Sequence, residues 1–340
     1  MKKIALILAG GSGKRFWPLS EKGKPKQLIS LFSEKTLIEE TINRLEMNFD
    51  RENIKIVTNK DLGKKLKKLL KDFPEENILE EPMAKNTAPS IIWAISVFEK
   101  KDEDTIFGIF PSDHYIVDEK RFSQRLNKAF ELADKEEKLI TFGIVPTAPD
   151  TGYGYIETEN TENKDFLKVL SFKEKPDYKT ALNYIKSGNY FWNSGMFIWK
   201  GKVFRENLKK YSEYFFEFYE RFRKDENVEN LFSEIKATSI DYALMEKSKE
   251  ILLVKGDFRW SDIGSYKSFY DINKKDENFN VKIGNIIIKN SKSSLVYSKE
   301  NPVAVIGVEN IFVIVNNGKI VVGNMKNSQD VKEAYEFFEK

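Results

Sequence analysis

Short apolar runs alternate with amphipathic stretches from the first residues to about residue 146. Lys3–Leu8 reads as a strand buried on both faces. Thr36–Glu46 has helical spacing, with Thr36 as its cap. "NIKIVTN" gives a second strand and "LGKKLKKLLKDF" a helix. "NTAPSIIWAISVFEK" opens with capping residues and continues as a mostly buried helix. "DTIFGIF", a helix near Glu119–Asp134 and "KLITFGIVP" complete the series. Strands and helices in such alternation predict a parallel, doubly wound sheet.

The pattern then changes. "TGYGYIETE" and "FLKVLSFKEKP" alternate in polarity and predict antiparallel or mixed strands. "DYKTALNYIKSG" is a helix ending at Gly188, and "YFWNSGMFIWKG" is an aromatic strand with a turn inside it. From about Lys274 the chain becomes short β-prone pieces broken by Gly and Asn, closed by "SQDVKEAYEFFEK", a helix with Ser328 as its expected cap. Two domains are therefore expected, residues 1–270 and a small all-β tail over 271–340 that ends in a helix. No strict repeat marks the tail, so a β-helix is compatible with the pattern without being specified by it.

Composition removes several chemistries. The chain has no cysteine and one histidine, His114, so a thiolate nucleophile, a disulfide and a multi-histidine metal site are excluded. A net charge of +3, with lysines interspersed among acids, argues against a nucleic-acid partner. The apolar start breaks quickly into glycines and an arginine, unlike a signal peptide, and no later run is long enough to span a bilayer. A cytoplasmic protein with no membrane partner is the expectation.

"LAGGSGKRFWPLSEKGKPKQL", Leu8 to Leu28, follows the first strand directly. Glycines after a buried strand present backbone N–H groups to phosphate, because no Cβ blocks the approach. The usual phosphate motifs do not fit: Gly13-Lys14 is followed by Arg15, and Phe16 stands where a dinucleotide fingerprint needs Gly or Ala. What remains is a glycine loop with Arg15 and Lys26 behind it, a fork and a point charge suited to phosphate.

Two aspartates suit a hard cation shared with phosphates. Asp113 in "FPSDH" follows a buried strand, where ligands of open sheets bind, and Asp262 sits in the turn "WSDIGSY". Asp262 reads equally well as an ordinary turn residue. His114 has no evident partner and suits packing or hydrogen bonding. In "FKEKPD", Glu174 and Lys175 form either a plain surface pair or contacts to a sugar hydroxyl and an anion. Asn193 is the polar exception in an aromatic strand, and Gly195 would admit a close ligand.

"LAGGSGKRFWPLS…KPKQ", "EPMAKNTAPSI", "FPSDH", "GYGYIE", "FKEKPD", "FWNSGMF", "DYALMEKS" and "WSDIGSY" occur in this order across residues 5–266. In this the chain resembles the mannose-1-phosphate guanylyltransferases, or GDP-mannose pyrophosphorylases, of the sugar nucleotidyltransferase family. The "QDVKE" ending resembles them too. The resemblance implies a Rossmann-like, GT-A-like α/β fold with a mixed sheet over residues 1–270. It also implies an all-β C-terminal domain, for which a left-handed β-helix is one form. It implies an enzyme that joins GTP and mannose 1-phosphate into GDP-mannose and pyrophosphate with Mg2+ or another divalent cation.

By motif, the resemblance implies that Leu8, Ala9, Gly10, Gly11, Gly13 and Ser112 line the nucleotide. Arg15 would meet the β- and γ-phosphates and Lys26 the α-phosphate. Glu81, Asn86, Thr87 and Ala88 would lie by guanine and ribose. Asp113 and Asp262 would hold the metal. Gly154, Glu174 and Asn193 would meet mannose, and Lys175 its phosphate, with Asp262 at the sugar phosphate as well. Lys85 stands where the family often has Arg. The chain is too short for the cupin-type isomerase domain of some relatives, which predicts a single activity. A sibling enzyme using another nucleotide or sugar phosphate, and a non-catalytic regulatory relative, are the alternatives. The β-prone pieces of the tail suit a homodimer surface through the C-terminal domain and, equally, an intramolecular clamp.

Overall fold

The computed structural model describes residues 2–11, 13–160 and 166–339. The strands in chain order are β1 (Lys3–Ala9), β2 (Ile54–Asn59), β3 (Ile78–Glu81), β4 (Ile106–Pro111), β5 (Tyr115–Ile116), β6 (Leu139–Ile144), β7 (Tyr155–Thr158), β8 (Phe166–Lys173), β9 (Tyr190–Lys200), β10 (Ile251–Gly256), β11 (Trp260–Ser261), β12 (Val281–Lys289), β13 (Leu295–Ile306), β14 (Ile311–Asn316) and β15 (Lys319–Asn324). The α-helices are α1 (Leu37–Leu45), α2 (Lys60–Leu69), α3 (Thr87–Glu99), α4 (Glu119–Lys135), α5 (Tyr178–Ser187), α6 (Gly201–Tyr211), α7 (Glu213–Arg223), α8 (Val228–Glu234), α9 (Tyr266–Ile272) and α10 (Val331–Phe338). The chain divides into two compact units. One comprises Met1–Gly10, Ile42–Ser112 and Asp118–Phe258; the other comprises Gly11–Thr41, Asp113–Val117 and Arg259–Lys340.

The first unit is a nine-stranded sheet in the order β3-β2-β1-β4-β9-β6-β10-β8-β7. β3, β2, β1 and β4 run parallel, as the alternation predicts. β9 is inserted antiparallel between β4 and β6, which makes the sheet mixed. β7 and β8 are antiparallel, again as their polarity alternation predicts. β3 is a short strand that the pattern "ILEE" did not reveal. The β1 side chains Ile4, Leu6 and Ile7 are inaccessible because neighbours lie on both edges and layers on both faces. Helix α3 is buried nearly throughout, as its apolar sequence requires. Helix α5 ends at Gly188 in a left-handed conformation (φ 75°).

In the second unit β12, β13 and β14 are parallel and β15 is antiparallel at the edge. Leu295, Tyr297, Phe312 and Ile314 on one face join a core with Phe16, Trp17, Leu19, Tyr266 and Phe269. The tail's apolar face is thus covered by chain from before residue 271, so the compact unit does not begin at the expected 270/271 cut. The last helix also differs from expectation. It starts at Val331 with Asp330 as N-cap, while Ser328 is buried in the turn before it. At α1, Thr36 donates both its N–H (2.8 Å) and its hydroxyl (2.6 Å) to the Glu39 carboxylate.

Candidate active site

β1 and β4 are parallel neighbours, and the Ser112 N–H donates to the Leu8 carbonyl at 3.2 Å. The chain leaves the first unit after both strands, at Gly10 and at Ser112. Residues 11–41 and 113–117 then carry Gly11, Gly13, Arg15, Lys26 and Asp113 into the second unit.

In that unit Lys26 is the centre of a polar group. It is 6% exposed, so its ammonium needs fixed partners. It donates to Asp113 Oδ2 at 2.8 Å and to the Asp262 backbone carbonyl at 2.5 Å. Three segments far apart in sequence therefore meet at one nitrogen. Gly13 makes the approach feasible: its φ is 64°, and a Cβ there would stand 2.4 Å from Lys26 Cβ. The Gly13 carbonyl accepts from Ser20 Oγ (2.6 Å) and Phe16 N (2.9 Å), closing the turn. Gly11 is also left-handed (φ 87°) and exposed, with open space where a side chain would be. Arg15 is exposed and makes no ion pair among the described residues.

Burial pushes the Asp113 carboxyl up, but the Lys26 ammonium beside it pulls it further the other way. The net result lies below the ordinary carboxylate value, so Asp113 is an anion at neutral pH. Asp262 Oδ1 accepts the Gly264 N–H at 2.8 Å. His114 has the hydrogen-bonding role anticipated for it: its Nδ1 accepts from Trp260 Nε1 at 3.2 Å, with the two rings edge to face.

The donor set suits a magnesium ion. Lys26 engages one oxygen of Asp113, and both aspartates offer hard oxygen ligands. Among the described residues no group of three His, Cys, Asp or Glu gathers as a closed metal cage. Such an ion is typically held by one or two carboxylates and completed by substrate phosphates and water.

The remaining sequence-derived residues lie in the first unit. Leu8 and Ala9 end β1, and the Ala9 carbonyl accepts from Thr58 Oγ1 at 2.8 Å. Glu81 ends β3 nearly buried and accepts from Ser90 Oγ on α3; burial pushes its carboxyl up despite that bond. Asn86 has φ 69° and caps α3 by accepting from the Thr87 N–H at 2.8 Å. Thr87 Oγ1 accepts from Ile240 N (2.9 Å), and Ala88 N donates to the Thr238 carbonyl (3.0 Å). Thr87 and Ala88 are thereby tied to the segment before Asp241.

A second polar group surrounds Asn193. Its N–H donates to the Gly154 carbonyl (2.8 Å), its Oδ1 accepts from Gly195 N (3.0 Å), and its Nδ2 donates to Asp241 Oδ1 (2.8 Å). Gly195 has φ 64°, which is the turn inside the aromatic strand. Asp241 and Tyr242 open a π-helical turn, Asp241–Met245, a distortion common at functional sites. Tyr242 donates its hydroxyl to Glu174 Oε1 at 2.6 Å, which draws the Glu174 carboxyl below its usual range. Burial pushes Asp241 and Glu246 up. Lys175 and Glu174 are exposed, 3.9 Å apart.

Sequence reasoning gave no role to Asp241, Tyr242 or Ser90. The signal for Asp241 was present in "DYALMEKS", an acid at the head of an apolar stretch.

A model of the nucleotidyl transferase family matches residues 4–278. The chain belongs to this family. A mannose-1-phosphate guanylyltransferase of Salmonella muenchen is 36% identical over 99% of this chain and 73% of its own length. One from Klebsiella pneumoniae is 35% identical over 99% and 74%. Among solved structures, a mannose-1-phosphate geranyltransferase of Thermus thermophilus superposes with a TM-score of 0.92, covering all of both chains at 29% identity. This nucleotidyl transferase thus has the α/β fold of the family, with a mixed sheet and a C-terminal sheet. No helix among its described residues is long and apolar enough to cross a membrane.

Proposed function

We propose that this chain transfers GMP from GTP to α-D-mannose 1-phosphate. A phosphate oxygen of the sugar phosphate forms a bond to the α-phosphorus, the bond to the β-phosphate oxygen breaks, and pyrophosphate leaves with the electron pair. The attacking oxygen is already anionic, so no general base or covalent nucleophile is needed, in keeping with a chain that lacks cysteine. The requirement is positioning and charge neutralisation. The observation that carries this reading is Lys26, buried and held against the ionised Asp113 beneath a left-handed glycine loop.

In this reading Gly10, Gly11 and Gly13 give the phosphates close access to backbone N–H groups. Leu8, Ala9 and Ser112 line the nucleotide, Arg15 takes the β- and γ-phosphates, and Lys26 offsets charge on the α-phosphate. Glu81, Asn86, Thr87 and Ala88 serve base and ribose. Asp113 and Asp262 would hold Mg2+, which supplies charge neutralisation at the phosphates when bound. Gly154, Glu174 and Asn193 receive mannose, Lys175 receives its phosphate, and Asp262 lies by that phosphate too. The residues given these roles all lie within 1–270, while 271–340 supplies the β tail that shares a core with Phe16, Trp17 and Tyr266. The successive parallel ladders of β12, β13 and β14 support a β-helical coil as its finer form. A cytoplasmic enzyme that pairs through this tail completes the proposal.

Pyrophosphate release tests it. GTP with mannose 1-phosphate is expected to outrun UTP or ATP with glucose 1-phosphate. Faster turnover of another pair would make the chain a sibling enzyme, and no release from any pair would make it a non-catalytic relative.

A further inference from the structure

Helix α10 packs on the turn that follows the glycine loop. Glu336 Oε1 accepts from Lys14 Nζ at 3.0 Å. The same ammonium stands 5.9 Å from the centre of the Tyr335 ring. Phe338 stacks on Trp17, with ring centres 5.1 Å apart and planes within 9°. Glu339, just past the helix, accepts from Trp17 Nε1 (3.1 Å), the Lys22 N–H (3.2 Å) and Lys319 Nζ (2.5 Å).

All of these contacts fall on residues 14–22 or on the strand beside them, and they bracket Arg15. On its other side the turn is closed by Ser20 and by the Tyr266 hydroxyl, which donates to the Phe16 carbonyl at 2.8 Å. A loop with glycines at 10, 11 and 13 is costly to order on binding. Ordering it beforehand lowers that cost and raises affinity. The Glu339 side chain is 10% exposed yet has three donors, which marks a fixed joint rather than a solvated helix end.

We propose that α10 is a positioning element for the nucleotide: Glu336, Phe338 and Glu339 hold the Lys14–Trp17 turn where Arg15 meets the phosphates. This rests on the role given to Arg15 above. The helix touches no reacting atom and acts through the turn.

The test uses the full chain carrying Glu336→Ala with Glu339→Ala, and separately the milder Glu336→Gln. Two readouts are taken: KM for each substrate with kcat, and the rate of trypsin cleavage after Lys14 and Arg15, followed by mass spectrometry. The double variant is expected to raise the KM for GTP about fivefold to tenfold, as lost charged hydrogen bonds imply. It should leave the KM for mannose 1-phosphate unchanged and speed cleavage at the turn. Lys332→Ala, on the same helix, should alter neither. Lys14→Glu combined with Glu336→Lys should recover affinity that either single change loses. An unchanged KM for GTP, or an equal rise for both substrates, overturns the proposal. If the double variant does not fold, Glu336→Gln and the exchanged pair decide. If the wild-type chain shows no transfer at all, the functional reading fails. Cleavage rates then judge the helix alone, faster cutting in the variant supporting the clasp and equal cutting refuting it.

Discussion

The Asn193 amide is locked by Asp241: its Nδ2 donates to Asp241 Oδ1 at 2.8 Å while its Oδ1 accepts from Gly195 N at 3.0 Å. The amide therefore cannot flip without losing both bonds, and its remaining N–H is the group left to offer a ligand. Asp241→Ala removes the acceptor that sets this orientation. The expected outcome is a KM for mannose 1-phosphate raised about tenfold, as one lost charged hydrogen bond implies, with the KM for GTP unchanged. Steady-state kinetics in both substrates check it.

Asp113→Asn keeps the shape of the side chain and removes its charge. Turnover is expected to fall at least about 100-fold, the scale of losing one preorganised electrostatic group. Thermal unfolding should shift by no more than in the Lys26 variant below, because Asn can still accept from Lys26 although the ammonium loses its counter-charge. Near-normal turnover in this variant would contradict the metal-holding role.

Lys26→Met tests the other partner. Asp113 then loses the ammonium that keeps its carboxyl below the ordinary value. The Lys26 side chain is 7% exposed but Asp113 is 29% exposed, so the cost is discounted from that of a fully buried pair, to about 2 kcal/mol. Denaturant unfolding of the two proteins side by side measures it.

Gly13→Ala places a methyl group 2.4 Å from Lys26 Cβ at a residue with φ 64°. The turn or Lys26 must shift, costing about 1–3 kcal/mol in stability. Transfer activity should fall with it. An alanine variant with wild-type melting and turnover would show that the close approach is dispensable.

Acid stability has a separate source. Asp257 accepts from Arg125 Nε (2.8 Å) and Nη2 (2.7 Å) and from Arg121 Nε (3.0 Å), and these guanidinium hydrogen bonds hold its carboxyl far below the usual range. A carboxyl whose folded value is depressed stabilises the fold above its unfolded pKa, and that stabilisation is lost as pH falls toward the folded value. With the Asp257 side chain 32% exposed, the contribution is about 1 kcal/mol at neutral pH. Asp257→Asn should cost that amount at pH 7, and the difference from wild type should shrink below about pH 4. Melting curves across that range follow the convergence.

Much of the first unit was readable because its elements are local. Lys3–Ala9, Thr87–Glu99 and Leu139–Ile144 carry their own period and apolar content, which the sheet then uses. β9 was harder, because nothing in "YFWNSGMFIWK" says that it slots antiparallel between β4 and β6. At the candidate site, Arg15, Lys26, Asp113 and Asp262 could be singled out by residue type and by their place after strands. That Lys26 meets the Asp262 carbonyl rather than its carboxylate is a matter of backbone path, which no side-chain pattern encodes. Asp241 escaped for a similar reason. Its significance comes from Asn193, 48 positions away, reaching it across the fold. Ser328 was misread as a cap because a serine before "QDVKE" satisfies the local rule, while the chain places Asp330 at the helix start.

The second unit is assembled from residues 11–41, 113–117 and 259–340, with most of the first unit's sequence threaded between them. During synthesis, Phe16 and Trp17 emerge long before the residues that complete their core, Tyr266, Phe312 and Ile314, and Lys26 long before its partner Asp262. The nascent protein must therefore shelter Phe16 and Trp17 without their final neighbours until the last stretch leaves the ribosome. Competence for chemistry is in this sense a late event, gated by translation of the carboxyl-terminal quarter rather than by formation of the central sheet.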